Sequence, residues 1–120
     1  GQTIVFLDVS CRVVQNPGLF WDIPLEGDIG SHSGSGNPRH EVLFLRNRKN
    51  VRRFVEEWES DAAEAFERTG EVPAGTFGGL LTECVIRGRL VMYDLPAEYN
   101  WTPTSVLTHG ERSPVIVVGE

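Results

Sequence analysis

The chain has 120 residues, a net charge of −6 and 40% hydrophobic residues, a size and composition typical of one folded domain. The acidic balance argues against nucleic acid as a partner, and no apolar run reaches the ~20 residues of a membrane span. The first residues carry neither a basic segment nor a cleavage site, so we expect an intracellular, cytoplasmic protein. Two cysteines, Cys11 and Cys84, are too few for a disulfide framework and are expected to be free thiols.

Residues 3–8 are predicted to form a buried central strand that ends at a carboxylate. The run is apolar, β-branched and aromatic, and it reaches Asp8 shortly before the polar Ser10. A strand of this kind brings an acidic group to the carboxyl edge of an α/β sheet, where metals and phosphates bind. Asp8 is therefore the first candidate functional residue. The alternative is a carboxylate that caps the following turn.

Four further segments have the pattern of strands. They are residues 28–32, expected at a sheet edge, and residues 42–46, 89–93 and 114–118. A flexible loop rich in glycine and serine follows the first of these segments. His32 and His40 flank that loop as candidate ligands, or alternatively as solvated loop residues.

Two helices are predicted, over residues 48–68 and 76–86. An apolar stripe with a 3.6-residue period supports the long helix, with Asn47 as its N-cap and Gly70 as its stop. Cations crowd its first two turns, against the preference set by the helix dipole. The basic turns are either one part of a solvated, salt-bridged face or the border of a phosphate-bearing ligand.

The order of motifs along the chain carries a family resemblance. In chain order they are Leu7-Asp8-Val9-Ser10, Val14-Gln15-Asn16-Pro17, Asp28-Ile29-Gly30-Ser31-His32, Glu41-Val42-Leu43-Phe44-Leu45-Arg46-Asn47, Asn50-Val51-Arg52-Arg53-Phe54-Val55-Glu56-Glu57-Trp58 and Leu95-Pro96-Ala97-Glu98-Tyr99-Asn100. This order resembles the second half of GT-A-type nucleotide-diphospho-sugar transferases, glycosyltransferases with an Asp-x-Asp motif. The resemblance implies an α/β fold with a small mixed sheet and packed helices, in a single domain over residues 1–120.

The resemblance also implies a site. Asp8 and Ser10 stand at the Asp-x-Asp positions, which in the family hold Mn²⁺ or Mg²⁺ against the diphosphate of the nucleotide sugar. Glu41 matches a position near the donor sugar or the acceptor and is the candidate catalytic residue. His32 lies near the expected cleft. Tyr99 and Trp101 form either a stacking platform for a sugar or base, or a rim that covers the core.

Two departures from the family keep the function open. Ser10 replaces the second carboxylate, and the βαβ units that precede the acidic strand in the family are absent from this sequence. Catalysis by this chain alone therefore stays open, and the alternative is a non-catalytic binding or assembly module. Such a module is expected to form a homo-oligomer through an exposed apolar strand at residues 3–8. A third alternative is an unrelated small α/β fold.

Overall fold

The computed structural model describes residues 3–34 and 36–119, and over these ranges the chain is a mixed α/β domain with six strands and three α-helices. The strands are β1 (Thr3–Leu7), β2 (Cys11–Val13), β3 (Ile29–Ser31), β4 (Val42–Arg46), β5 (Met92–Asp94) and β6 (Ile116–Val118). The helices are α1 (Lys49–Thr69), α2 (Thr76–Ile86) and α3 (Ser105–His109), with 3₁₀ helices at Gly18–Trp21 and Ala97–Asn100. The expected α/β class is confirmed.

The main sheet has the strand order β1-β4-β3-β5 and is mixed. β4 runs antiparallel to both β1 and β3, whereas β3 and β5 are parallel. A second small sheet pairs β2 with β6 antiparallel. The prediction of an edge strand at residues 28–32 is wrong, because β3 lies between β4 and β5 and all its residues are buried.

The prediction of a buried central strand at residues 3–8 is also wrong. β1 pairs only with β4 in the described part of the chain, so it is an edge strand. Its side chains are 57% (Ile4), 40% (Val5), 42% (Phe6) and 37% (Leu7) exposed. An apolar run of this length indicates a strand, but its burial depends on neighbours that are remote in sequence.

Helix α1 lies where the periodicity predicts it. It ends at Gly70, whose left-handed backbone (φ 77°) lets its N–H donate to the Phe66 carbonyl. The prediction of Asn47 as N-cap is wrong: the cap residue is Arg48, and the Asn47 Oδ1 accepts instead from Arg52. Phe66 is 59% exposed because the buried stripe passes through Ala65 at this turn.

Two apolar cores lie on opposite faces of the main sheet. β4 supplies both, since Val42 and Phe44 point to one face and Leu43 to the other. The first core is Phe20, Ile23, Val42, Phe44, Leu95, Tyr99, Ile116 and Val118. The second is Ile29, Leu43, Val51, Phe54, Phe77, Leu81, Cys84 and Leu90. Among the helices of the described ranges, none has the length and apolar composition needed to cross a bilayer.

Candidate functional site

The register of the main sheet collects acidic residues at one edge. Because Leu7 pairs with Val42, the next residue, Asp8, lies beside Glu41, and the Asp8 N–H donates to the Glu41 carbonyl at 2.8 Å. Ser31 pairs in parallel with Asp94, which brings Asp94 to the same edge. The predicted site residues Asp8, Glu41 and His32 thus follow or precede strand ends on one side of the sheet. We call this the acidic edge, comprising Asp8, His32, Glu41 and Asp94.

His32 is held in one orientation at the acidic edge. Its Nδ1 lies 2.8 Å from the Leu95 carbonyl oxygen, and its side chain is only 13% exposed. A carbonyl oxygen can only accept, so Nδ1 carries the proton and Nε2 is left as the acceptor of the neutral ring. The Asp94 carboxylate lies 4.0 Å from the same Nδ1. This arrangement is suited to a histidine that accepts a proton or hydrogen bond through Nε2.

Glu41 is paired on both carboxylate oxygens. Its Oε1 accepts from the Arg39 Nε at 2.9 Å, and its Oε2 lies 3.4 Å from the His40 Nδ1. The side chain of Glu41 is 15% exposed, whereas Arg39 is 41% exposed. Nearby, the Cys11 thiol donates to the Glu41 carbonyl at 3.3 Å. Burial raises the pKa of Cys11, so this thiol is protonated at neutral pH and is a poor nucleophile.

Asp8 and Ser10 do not form a cation site by themselves. The Asp8 Oδ1 accepts from the N–H of Val9 at 2.7 Å, and the Asp8 carbonyl accepts from the Cys11 N–H at 2.9 Å, which makes the tight turn between β1 and β2. Ser10 is exposed. No group of three metal-ligating side chains occurs in the part of the chain that the structure describes. These residues therefore do not fit a protein-held divalent cation, which needs more oxygen ligands than two.

The two candidate aromatic residues have different surroundings. Trp101 is half-buried, its ring lies 6.1 Å from that of His109, and His109 lies 6.3 Å from His32, so these three rings adjoin at the acidic edge. Tyr99 is buried in the first core, with its ring 5.1 Å from Phe20 and edge-on to it. Its hydroxyl accepts from the Leu19 N–H at 2.9 Å. Tyr99 thus covers the core, the alternative named for it above.

Sequence reasoning missed Asp94 of the acidic edge and two residues beside it, Arg39, which pairs with Glu41, and His109, which adjoins His32. The Asp94 Oδ1 accepts from both the N–H (2.9 Å) and the hydroxyl (3.2 Å) of Ser33, which fixes the loop after β3. Asp94 ends an apolar strand just as Asp8 does, so the same pattern would have found it. Nothing in the local sequence indicated that Arg39 would pair with Glu41.

Neither a protein-family model nor a curated protein matches this sequence. The resemblance to GT-A transferases therefore rests on the order of motifs in the chain. Its functional consequences are proposals.

Proposed function

We propose that this chain is a glycosyltransferase-like domain that binds a nucleotide-diphosphate sugar at the acidic edge. The observation that supports the proposal most is that Asp8, Glu41 and His32, chosen from motifs spread over 34 positions, adjoin at strand ends on one side of the sheet. Asp8 and His32 follow the carboxyl ends of β1 and β3, and such ends are the common ligand-binding edge of α/β sheets. Glu41 joins them because β4 runs antiparallel to both strands and begins at this edge.

In this proposal, each residue at or beside the acidic edge has a role that follows from its charge or its aromatic ring. The donor diphosphate is anionic and needs a positive partner. Arg39 uses its Nε–H on Glu41, which leaves four of the five guanidinium N–H donors for phosphate oxygens. Glu41 is the carboxylate nearest this cation and is the proposed general base for an acceptor hydroxyl. Trp101 supplies an aromatic face for the sugar or base.

The binding step is tested by calorimetric titration with uridine-diphosphate glucose and guanosine-diphosphate mannose as probes. We expect Arg39→Gln to weaken binding about tenfold through the loss of its contact with a phosphate oxygen, ~1.4 kcal/mol. Asp8→Asn should weaken it by a similar factor, because the Asp8 carboxylate is the proposed acceptor of a hydrogen bond from a hydroxyl of the sugar or ribose. Asp22→Asn is the matched control, because Asp22 is an exposed aspartate outside the acidic edge. Absence of binding of either probe at millimolar concentration would refute the proposal, as would an equal loss in the control.

The same titration also tests whether binding needs the Mn²⁺ or Mg²⁺ that the family resemblance implies. Because Asp8 and Ser10 do not fit a protein-held cation, we expect nucleotide-sugar binding to be similar in MnCl₂ and in a chelator. Strict dependence on MnCl₂ would show that phosphate oxygens of the ligand complete a metal site that begins at Asp8.

The second candidate function is assembly through β1 with a second copy of the chain. β1 exposes apolar side chains on both faces, and its outer edge has no partner strand within the described ranges. The strand carries no charge, so two copies can pair without like charges meeting despite the net charge of −6. Antiparallel pairing about a two-fold axis at Val5 sets Val5 opposite Val5 and Ile4 opposite Phe6, and joins two four-stranded sheets.

Sedimentation velocity at rising protein concentration tests the assembly. Val5→Lys places a charge on the edge strand, a common means by which proteins block strand pairing, and we expect it to give a monomer. Leu107→Lys, at a position 83% exposed on α3, is the matched control and should leave association unchanged. A monomeric wild-type chain at high micromolar concentration contradicts the assembly.

A further inference from the structure

We propose that a cavity between α1 and α2 binds a phosphate monoester of an apolar alcohol. The cavity has a volume of about 480 Å³. It is lined by Lys49, Asn50, Arg53, Phe54, Glu57, Cys84, Arg89 and Leu90. These residues come from the first turns of α1, the end of α2 and the approach to β5. Because Arg89 and Leu90 precede β5 and Asp94 ends it, the cavity lies at the opposite end of the sheet from the acidic edge.

The first argument is the distribution of positive charge. Five of the chain's eleven lysines and arginines lie between residues 46 and 53. Three of the five have structural partners: Arg46 donates to the carbonyls of residues 23, 24 and 27, Arg48 pairs with Asp28, and Arg52 donates to Asn47. Lys49 and Arg53 form no ion pair with any residue that the structure describes, and these two share the cavity.

The second argument is the cost of placing Lys49 and Arg53 where they are. The two residues are four apart on α1, a spacing at which like charges repel. They also lie at the amino-terminal end of the helix, where the dipole disfavours cations, and the first turn contains no acidic residue. A local arrangement that opposes helix stability and lines a cavity indicates a ligand whose negative charge offsets the repulsion.

The third argument concerns the remaining lining residues. Arg89 lies 3.8 Å from Glu57, so its charge is balanced within the protein, and two positive charges remain for the ligand. A phosphate monoester carries about −1.5 to −2 charges at neutral pH, which matches these two cations better than a carboxylate does. Phe54, Cys84 and Leu90 are at most 4% exposed and form an apolar floor. Burial raises the pKa of Cys84, so its thiol is neutral and the floor carries no charge.

The cavity wall is held in place without the ligand. The Asn50 side-chain amide donates to the Arg89 carbonyl and to the Asp28 Oδ2, both at 3.1 Å, which ties α1 to the segment before β5. The volume of the cavity falls within the ~300–1,000 Å³ of small-molecule sites. The site therefore combines an apolar floor with the two exposed cations Lys49 and Arg53 in its lining.

Lys49 is the only lysine in the sequence and provides a specific probe. Reductive ¹³C-methylation keeps its charge and gives a single lysine signal in NMR spectra. Titration with phenyl phosphate is expected to shift this signal with saturation. Inorganic phosphate lacks the apolar group, benzyl alcohol lacks the charge and benzoate has a smaller charge, so each should bind at least about threefold more weakly.

Three variants and a matched control separate the site from general attraction of anions, with binding measured by calorimetry. Lys49→Gln and Arg53→Gln, both at exposed positions, should weaken phenyl phosphate binding about three- to tenfold. Glu57→Gln removes the carboxylate that competes for Arg89 and should tighten binding about two- to threefold. Arg68→Gln, on the last turn of the same helix and 70% exposed, is the matched control and should leave binding unchanged.

Four results would overturn the proposal. They are no shift of the Lys49 signal with millimolar phenyl phosphate, equal binding of inorganic phosphate or benzoate, unchanged affinity in Lys49→Gln and Arg53→Gln, and an equal loss in Arg68→Gln. Urea unfolding of each variant confirms that the fold is retained, since all the substituted side chains lie on the surface of α1.

Discussion

Asp28 is expected to be the most important buried polar residue for the stability of this fold. Its side chain is only 9% exposed and accepts three hydrogen bonds: Oδ1 from Arg48 at 2.8 Å, and Oδ2 from Asn50 at 3.1 Å and from the Val91 N–H at 2.9 Å. These partners connect the start of β3 with the first turn of α1 and with the start of β5. Removing Asp28 therefore weakens three elements at once.

The loss of stability in Asp28→Ala depends on which hydrogen-bond partners of Asp28 can be hydrated after the substitution. Asp28→Ala leaves the Val91 N–H without its acceptor, at ~1–3 kcal/mol, and removes one of the two acceptors of the Asn50 amide, which keeps the Arg89 carbonyl. Arg48 is 38% exposed and can be rehydrated, so its lost ion pair adds less. We expect Asp28→Ala to lower the free energy of unfolding by about 3 kcal/mol. Asp28→Asn can keep one oxygen towards Val91 and Asn50, and should cost about 1–2 kcal/mol.

Urea unfolding monitored by circular dichroism measures these changes. At an m value of ~1.5 kcal/mol/M, a loss of 3 kcal/mol lowers the midpoint by about 2 M. Glu26→Ala is the control, because Glu26 is an exposed acidic residue two positions earlier. If Asp28→Ala unfolds within about 0.5 kcal/mol of the wild type, the typical range of a surface substitution, the structural role argued for Asp28 is wrong.

The same carboxylate predicts a pH dependence. Burial alone would raise the pKa of Asp28, but the hydrogen bonds from Val91, Arg48 and Asn50 outweigh it and hold the pKa below its usual value of 3.8. A carboxylate whose pKa is lower in the folded state stabilises the protein fully above the unfolded pKa, and this contribution is lost as the pH falls through the folded pKa. The stability difference between the wild type and Asp28→Asn should be constant from pH 7 to about pH 5, and should shrink below about pH 4. A difference that persists unchanged at pH 2 contradicts this.

Urea unfolding also checks three other predictions. Gly78→Ala should cost about 1–3 kcal/mol, because a Cβ there would lie 2.9 Å from the Pro38 carbonyl oxygen, whereas Gly79→Ala faces open space on the same helix and should add up to ~1 kcal/mol. Equal effects at the two positions would contradict the steric argument. Tyr99→Phe should cost about 1 kcal/mol through the lost acceptor for the Leu19 N–H, and no cost would show that this hydrogen bond does not stabilise the fold. Asn100 is 1% exposed, and its side-chain amide has no protein partner within the described ranges. Asn100→Leu should therefore leave the free energy of unfolding unchanged or raise it by about 1 kcal/mol. A lower free energy of unfolding would indicate a bound water or ligand at that amide.

Local sequence correctly predicted the elements that are specified by hydrophobic periodicity and flanking turn residues. β4 and α2 have the predicted bounds, because an apolar run and a helical period with flanking turn residues specify them without reference to the rest of the chain. β5 begins three residues later than predicted, at Met92, because the Arg89 carbonyl accepts from the Asn50 side chain and the Val91 N–H donates to the Asp28 side chain rather than to a backbone carbonyl of a neighbouring strand. These interactions depend on residues about 40 to 60 positions away, and no local pattern contains them.

Local sequence did not predict the position of each strand in the sheet, because that position also depends on residues that are remote in sequence. β1 is more apolar on both faces than the short β3, yet β1 is the exposed edge and β3 is the buried interior strand. The hydrophobicity of a strand indicates how much of its surface can favourably be buried, whereas the sheet topology decides how much of it other elements bury. Asp8, Glu41 and His32 lie at the ends of neighbouring strands. The motif order did not distinguish Tyr99, which packs in the core, from Trp101, which lies beside His109.

The two ends of the sheet have opposite charges, and this difference allows one experiment to test both ligand proposals, the acidic edge and the cavity between α1 and α2. Asp8, Glu41 and Asp94 lie at one end, and Lys49 and Arg53 at the other. A nucleotide sugar is itself anionic, so long-range attraction favours the Lys49 end, and binding at the acidic edge depends on direct contacts such as those of Arg39. If the nucleotide sugar binds at the acidic edge, uridine-diphosphate glucose titrated against the ¹³C-methylated chain should leave the Lys49 signal unshifted when phenyl phosphate is already bound beside Lys49. If the nucleotide sugar displaces phenyl phosphate and its affinity falls in Lys49→Gln but not in Asp8→Asn, its binding site lies between α1 and α2, and the acidic edge has a different role.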